Sequence, residues 1–158
     1  MKTKLIIFAL LISGAVSSQT TVNGRIKLNL LAGLQVVEVC SLNAGTVVNI
    51  GESTITISPT GRTTTGGATA SGDFSCNVFS VRGNPSKTFS IALPSSASIT
   101  NGTTTLQVMN FTSNTVNNVA TLGDDGLFEL QIGATIVLPS SFNGGIMTGN
   151  YSFTCCYN

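Results

Sequence analysis

The side chains best suited to chemistry in this 158-residue sequence are four cysteines and one pair of adjacent aspartates, and no histidine accompanies them. Without histidine there is no Ser–His or Cys–His nucleophilic pair, and the commonest metal ligand is missing. Asp124 and Asp125 stand together in "GDDG". Neighbours on a strand diverge, and inside a glycine-flanked turn such a pair is ordinary punctuation rather than an acid–base dyad. "GRTTTGG" at 61–67 lacks the lysine and the following helix of a phosphate loop. No C-x-x-C knuckle is present to favour zinc. Three N-x-S/T triplets, at Asn101, Asn110 and Asn150, are what chance gives in a chain so rich in Ser, Thr and Asn. The reading is therefore of a protein that is not an enzyme, with no catalytic, cofactor-binding or metal-binding residue.

The cysteines take their meaning from the compartment. Lys2 and Lys4 precede the apolar run "LIIFALLISGAV", and small residues follow in "AVSSQ". This is the layout of a secretory signal, here assigned to residues 1–18. The run is too short for a membrane span of about 20 residues, and no later stretch is longer. In an exported chain, disulfides are the default for Cys40, Cys76, Cys155 and Cys156, which allow three pairings. Cys155 and Cys156 are adjacent on a strand and must face opposite sides. Cys155 shares its face with Tyr151, Phe153 and Tyr157, so it is expected to point inward. Cys40 and Cys76 lie 36 residues apart, and closing that loop stabilises by roughly 3 to 4.5 kcal/mol in the chain-entropy picture. Such a bond leaves 155 and 156 as thiols, as a strained vicinal disulfide or as a link to another subunit. Spacing alone does not choose.

After the signal, five basic residues (Arg25, Lys27, Arg62, Arg82, Lys87) face six acidic ones (Glu38, Glu52, Asp73, Asp124, Asp125, Glu129). No basic patch exists to neutralise phosphates, so nucleic acid is not an expected partner. Period-two stretches recur between turns rich in Gly, Asn, Pro and Ser, and no helical period competes with them. Strands are expected at "LQVVEVC", "GTVVNI", "STITISP", "NVFSVRG", "KTFSIALP", "TTTLQVMNFTS", "GLFELQIGATIVLP" and "GNYSFTCCY". Breaks fall at 83–86, 100–102, 123–126 and 142–145. Residues 63–72, "TTTGGATASG", read as a mobile loop. Many short strands at this spacing specify an all-β, immunoglobulin-like sandwich over residues 32–158.

One strand stands outside that frame. In "TTVNGRIKLNL", Val22, Gly24, Ile26, Leu28 and Leu30 alternate with Asn23, Arg25, Lys27 and Asn29. Chain tips are usually frayed and polar, so a clean alternating strand within residues 19–31 asks for a partner.

The motifs "ISPTGRTTTGG", "FSVRGNPSKTFSIALPSS", "VMNFTSN", "LQIGATIVLPSS" and "GNYSFTCCYN" resemble, in order, the bacterial domain of unknown function 4402 family. The two ends resemble the subunits of chaperone–usher fimbriae. Those pilins have an immunoglobulin-like fold lacking a strand, and the N-terminal extension of the next subunit fills the gap. The resemblance implies that Val22, Gly24, Ile26, Leu28 and Leu30 form a donor strand, with Gly24 as its small residue. It implies a Cys40–Cys76 disulfide. It also implies a C-terminal assembly strand carrying Gly145, fourteenth from the end, with Tyr151, Phe153 and the penultimate Tyr157. Its partners would be other copies of itself or related pilins, a periplasmic chaperone and an outer-membrane usher. Its location would be the cell surface, as a fimbrium that serves adhesion.

Donor-strand filling satisfies an open sheet edge and an apolar groove together. Burying Val22, Ile26, Leu28 and Leu30 contributes at most roughly 6 to 12 kcal/mol. A head-to-tail contact of this kind does not close, so it builds filaments. The alternative is a stand-alone secreted or surface sandwich that binds glycan or matrix, in which residues 20–30 are an ordinary first strand. A chain with no Trp and two Tyr is poorly equipped for glycan binding.

Overall fold

The computed structural model describes Arg25, Lys27, Leu28, residues 32–141 and residues 144–158. Leu31–Asn158 forms one compact unit. The expected signal at 1–18 lies outside the described residues, as do Val22, Gly24, Ile26 and Leu30 of the expected donor strand. Ten strands and no helix appear among the described residues. They are β1 (Gln35–Cys40), β2 (Thr46–Ser58), β3 (Gly61–Ser71), β4 (Asn77–Arg82), β5 (Thr88–Ala92), β6 (Ser96–Thr100), β7 (Thr105–Ser113), β8 (Val119–Thr121), β9 (Leu127–Leu138) and β10 (Thr154–Tyr157). All pairings are antiparallel. The chain is the expected all-β sandwich.

The long strand β9 organises both halves of it. Its alternate residues Leu130, Ile132, Ala134, Ile136 and Leu138 are all buried, as a strand with one face on a core requires. Leu130 and Ile132 pack with Val81, Phe89, Ile91, Ala120 and Leu122. Ala134, Ile136 and Leu138 pack with Ile55, Ile57, Leu106 and Val108. One edge of β9 pairs first with β4, over Leu127 to Ile132, and then with β2, over Ala134 to Leu138. The other edge carries β7, which also pairs β6. Beyond β4 lies β1, and beyond β2 lies β3, so this large sheet has seven strands.

The second layer is a three-stranded sheet, β10-β5-β8. Phe89, Ile91 and Ala120 send its side chains into the first core half only. Each large buried residue there contributes about 1.5 to 3 kcal/mol, an upper value because the unfolded chain already hides some surface. Over the second half, among the described residues, no strand of a facing sheet covers Ile55, Val108 and Leu138.

Residues 63–72 correct the sequence expectation. They are not a loop: all but the last belong to β3, which pairs β2 along its length. Threonine is β-branched and suits a pleated surface, and that preference outweighs the low-complexity look of the segment. Thr54 and Thr65 share a cross-strand hydroxyl hydrogen bond at 2.7 Å, and Thr56 shares one with Thr135 at 3.0 Å. Gly66 takes φ +76° where the β2–β3 register shifts, and a Cβ there would lie 2.2 Å from the Glu52 carbonyl oxygen. The "GTVVNI" and "STITISP" segments form one strand rather than two, because pairing resumes across that irregularity. β6 and β8 were not anticipated: β8 is only three residues long, and β6, "SASIT", carries just two apolar residues. "GNYSFTCCY" is a strand only over its last part.

The turns at 83–86 and 123–126 fall as expected and fasten to each other. Gly83 N–H donates to the Gly126 carbonyl at 2.9 Å, and Ser86 Oγ donates to Asp124 Oδ1 at 3.0 Å. Asp125 Oδ1 accepts from the Leu127 N–H at 3.0 Å. Both aspartates therefore serve the turn.

Candidate functional site

The half-covered core opens into a cavity of about 940 Å³. Its floor is Ile55, Leu106, Val108, Ile136 and Leu138, the inner face of β2, β7 and β9. One wall is the end of β1 and the segment after it, from Glu38 to Val47. The other is the C-terminal segment from Gly145 to Phe153.

Both walls present backbone with capacity to spare. Among the described residues, β1 is an edge strand paired only with β4, and all six of its residues are exposed. Val37 and Val39, on its outward face, are 62% and 67% exposed. Long apolar edges of this kind invite strand addition. On the opposite wall, Thr148 bridges to Thr100, and β10 begins only at Thr154. Among the described residues, no backbone hydrogen bond holds residues 150–153 between those two anchors.

Local interactions fix the walls. Arg62 reaches from β3 to donate to the Ala44 carbonyl at 2.8 Å and the Ser71 carbonyl at 3.3 Å, and its guanidinium lies 4.9 Å from the Phe74 ring centre. A planar donor fork over an aromatic face is a use of arginine that lysine does not reproduce. On the C-terminal wall, Tyr151 leans on Phe111 with the rings tilted by 42° and their centres 4.8 Å apart, and Phe153 meets Phe79 edge-on at 4.8 Å.

A polar bridge joins the two walls. Tyr151 Oη donates to Asn77 Oδ1 at 2.7 Å. Asn77 Nδ2 in turn donates to Glu38 Oε1 at 2.7 Å and to the Cys40 carbonyl at 2.6 Å. Asn77 is only 3% exposed, so satisfying its amide matters: an unpaired buried amide costs about 1 to 3 kcal/mol. Burial pushes the Tyr151 phenol well above its ordinary pKa, helped by the nearby Glu38 and Cys76, so Tyr151 remains a donor.

The residues named from sequence divide around this groove. Gly145, Tyr151 and Phe153 line it. Tyr157 does not; it packs in the other core half, and its hydroxyl accepts from the Asn84 N–H at 2.8 Å. Leu28 is 74% exposed. Cys155 packs inward and Cys156 is exposed, as the alternation of β10 requires. All four cysteines are free thiols here, so the expected Cys40–Cys76 bond is not formed in this structure. Cys40 is exposed with its thiol against the Ser41 carbonyl, whereas Cys76 packs against the second core half. Burial pushes the Cys76 thiol up, its own backbone hydrogen bond works against this, and the neighbouring Cys40 adds to the rise. Glu38 and Asn77 were not singled out from sequence. The available signal was a carboxylate in the position of an inward-facing residue of "VVEVC".

Residues 34–157 match the family described as Domain of unknown function (DUF4402). The chain belongs to this family. The match spans β1 through β10, so the groove and both its walls lie inside the DUF4402 domain. No curated protein and no solved structure matches the chain.

Proposed function

We propose that this DUF4402 protein is a structural subunit of a bacterial surface fimbria, polymerised when residues 22–30 of one copy fill the groove of the next. The observation that carries this reading is the groove itself: a floor of core side chains between two walls whose backbone is left partly unpaired among the described residues. An added strand supplies the missing ladder hydrogen bonds, while its alternate apolar residues cover Ile55, Val108 and Leu138. The chain carries a segment of matching pattern just before β1, with Val22, Ile26, Leu28 and Leu30 on one face. The fimbrial resemblance adds a periplasmic chaperone and an outer-membrane usher as partners and the cell surface as destination. Electron microscopy of cells with and without the gene tests this. Filaments are expected only with the gene and are expected to vanish when residues 19–31 are deleted. A deleted chain that is an ordinary stable monomer would support the self-contained sandwich instead.

Export also bears on the thiols. After exchange with a protein disulfide, Cys40 and Cys76 are the pair expected to be joined, since Cys40 ends β1 opposite Val78 of β4, two residues after Cys76. Peptide mapping of the exported protein under non-reducing conditions should recover that bond. Recovery of Cys40 joined to Cys155 or Cys156 rules the pairing out.

A further inference from the structure

Two adjacent thiols, Cys155 and Cys156, sit on the strand that follows the C-terminal wall. β10 pairs β5 without irregularity from Thr154 opposite Ala92 to Tyr157 opposite Phe89, with Cys155 opposite Ile91 and Cys156 opposite Ser90. In so regular a ladder, neighbouring side chains leave on opposite faces. Cys155 accordingly packs in the core half with Phe89 and Ile91, whereas Cys156 is exposed. A disulfide needs Cβ atoms about 3.5 to 4.5 Å apart and side chains that converge. Adjacent cysteines meet that demand only when the peptide between them leaves the extended form. The Cys155–Cys156 bond and the β10–β5 ladder therefore exclude each other.

The wall hangs on that short ladder. Among the described residues, β10 pairs β5 alone, and the next backbone anchor upstream is the bridge from Thr148 to Thr100. At the far end the Tyr157 hydroxyl accepts from the Asn84 N–H, and the Asn158 N–H donates to the Thr88 carbonyl at 3.2 Å. Without β10 in place, Tyr151 and Phe153 keep only their side-chain contacts. We propose that Cys155 and Cys156 form a redox latch on this wall, docked while both are thiols and released when they are joined. The oxidant is a disulfide of the export compartment, carried by a protein or by glutathione. The exposed Cys156 thiolate attacks it, its S–S bond breaks, and one thiol leaves. The Cys155 thiolate then attacks the Cys156 sulfur, and the second thiol leaves. Two cysteines give up two protons and two electrons, and the incoming disulfide takes them. The second step requires β10 to leave β5. Burial, with Cys156 beside it, also pushes the Cys155 thiol up and so depletes its thiolate while β10 is docked. The linkage is reciprocal: docking hinders oxidation by the same factor by which oxidation hinders docking.

The test equilibrates the exported chain in glutathione buffers of stepped oxidised share, then combines peptide mapping with amide hydrogen exchange. The fraction bearing the Cys155–Cys156 bond is expected to rise with the oxidised share. In that fraction the amides of β10 are expected to exchange at least tenfold faster than in the reduced chain. Tyr157→Phe leaves both thiols in place and removes the acceptor of the Asn84 N–H. It is expected to move the midpoint severalfold toward the more reducing buffers, because a weaker dock resists oxidation less. A tenfold move corresponds to about 30 mV. Cys156→Ser is expected to keep β10 protected at every ratio. Bonded molecules whose β10 amides stay as protected as the reduced ones overturn the latch. So does a chain in which Cys156 ends as a mixed disulfide with glutathione and Cys155 stays a thiol at every oxidising ratio. Should Tyr157→Phe yield no folded chain, the parent's own comparison of bond against protection decides the matter. Both readouts lie in β10 itself, so the outcome does not depend on what fills the groove.

Discussion

Leu28→Asp is expected to cut surface polymer more than a hundredfold while leaving the body of the domain folded. If residues 22–30 fill the groove, Leu28 leaves water for a floor of Ile, Leu and Val side chains that offers a carboxylate no donor. Burying an unpaired charge costs several kcal/mol, and each 1.4 kcal/mol is a tenfold change in an equilibrium constant. The loss of the leucine's own burial adds about 1.5 to 3 kcal/mol to the deficit. Lys27→Asp makes the same acidic change one residue away, on the opposite face of the alternation. It is expected to alter yield less than twofold. The comparison of the two variants controls for charge, for expression and for export. The measurement is the amount of polymer sheared from cells, normalised to the protease-resistant chain in the same cells. Equal yields from Leu28→Asp and the parent would remove donor-strand addition as the assembly mechanism.

Much of this architecture was readable from period-two alternation. It located β4, β5, β7 and β9, because each has one face on a core and the pattern of burial is the pattern of the sequence. It failed at β3. "TTTGGATAS" has little apolar alternation, because much of its stability comes from backbone pairing and cross-strand threonine hydroxyls. The groove was readable only at its ends. Tyr151 and Phe153 stood out as part of an aromatic alternation near the C-terminus. Asn77 did not, because the bridge it makes joins residues 39 positions upstream and 74 downstream, and nothing local in the chain records that meeting. Glu38 was visible only as a charge on the wrong face of a strand, a feature that gains its meaning once the edge is known to be open.

Gly133→Val should be strongly destabilising, and its reason is invisible in the sequence. Gly133 interrupts the run of β9 between Ile132, paired with Asn77 of β4, and Ala134, paired with Ile57 of β2. At this handover the β2 backbone closes on β9: a Cβ at 133 would lie 2.2 Å from the Ile57 carbonyl oxygen and 2.9 Å from the Ser58 Cα. The obstruction is main chain on both counts, so no side-chain rotamer change relieves it. Overpacking costs about 1 to 3 kcal/mol where neighbours can yield, and a backbone obstacle places this case at or above the upper end. For a domain of this size, 3 kcal/mol corresponds to a fall in melting temperature of roughly 10 °C. Gly61→Val is the matched control, since Gly61 lies at the start of β3 with nothing within 4 Å of its would-be Cβ. Its melting temperature is expected to stay within about 2 °C of the parent, as for surface changes of under 0.5 kcal/mol. Because the same strand carries the floor residues Ile136 and Leu138, separation of β2 from β9 at Gly133 also opens the groove's floor. Gly133→Val should therefore lose polymer along with stability, whereas Gly61→Val should lose neither. A Gly133→Val chain that melts with the parent would mean that β2 and β9 do not meet as described, and the continuous floor would go with them.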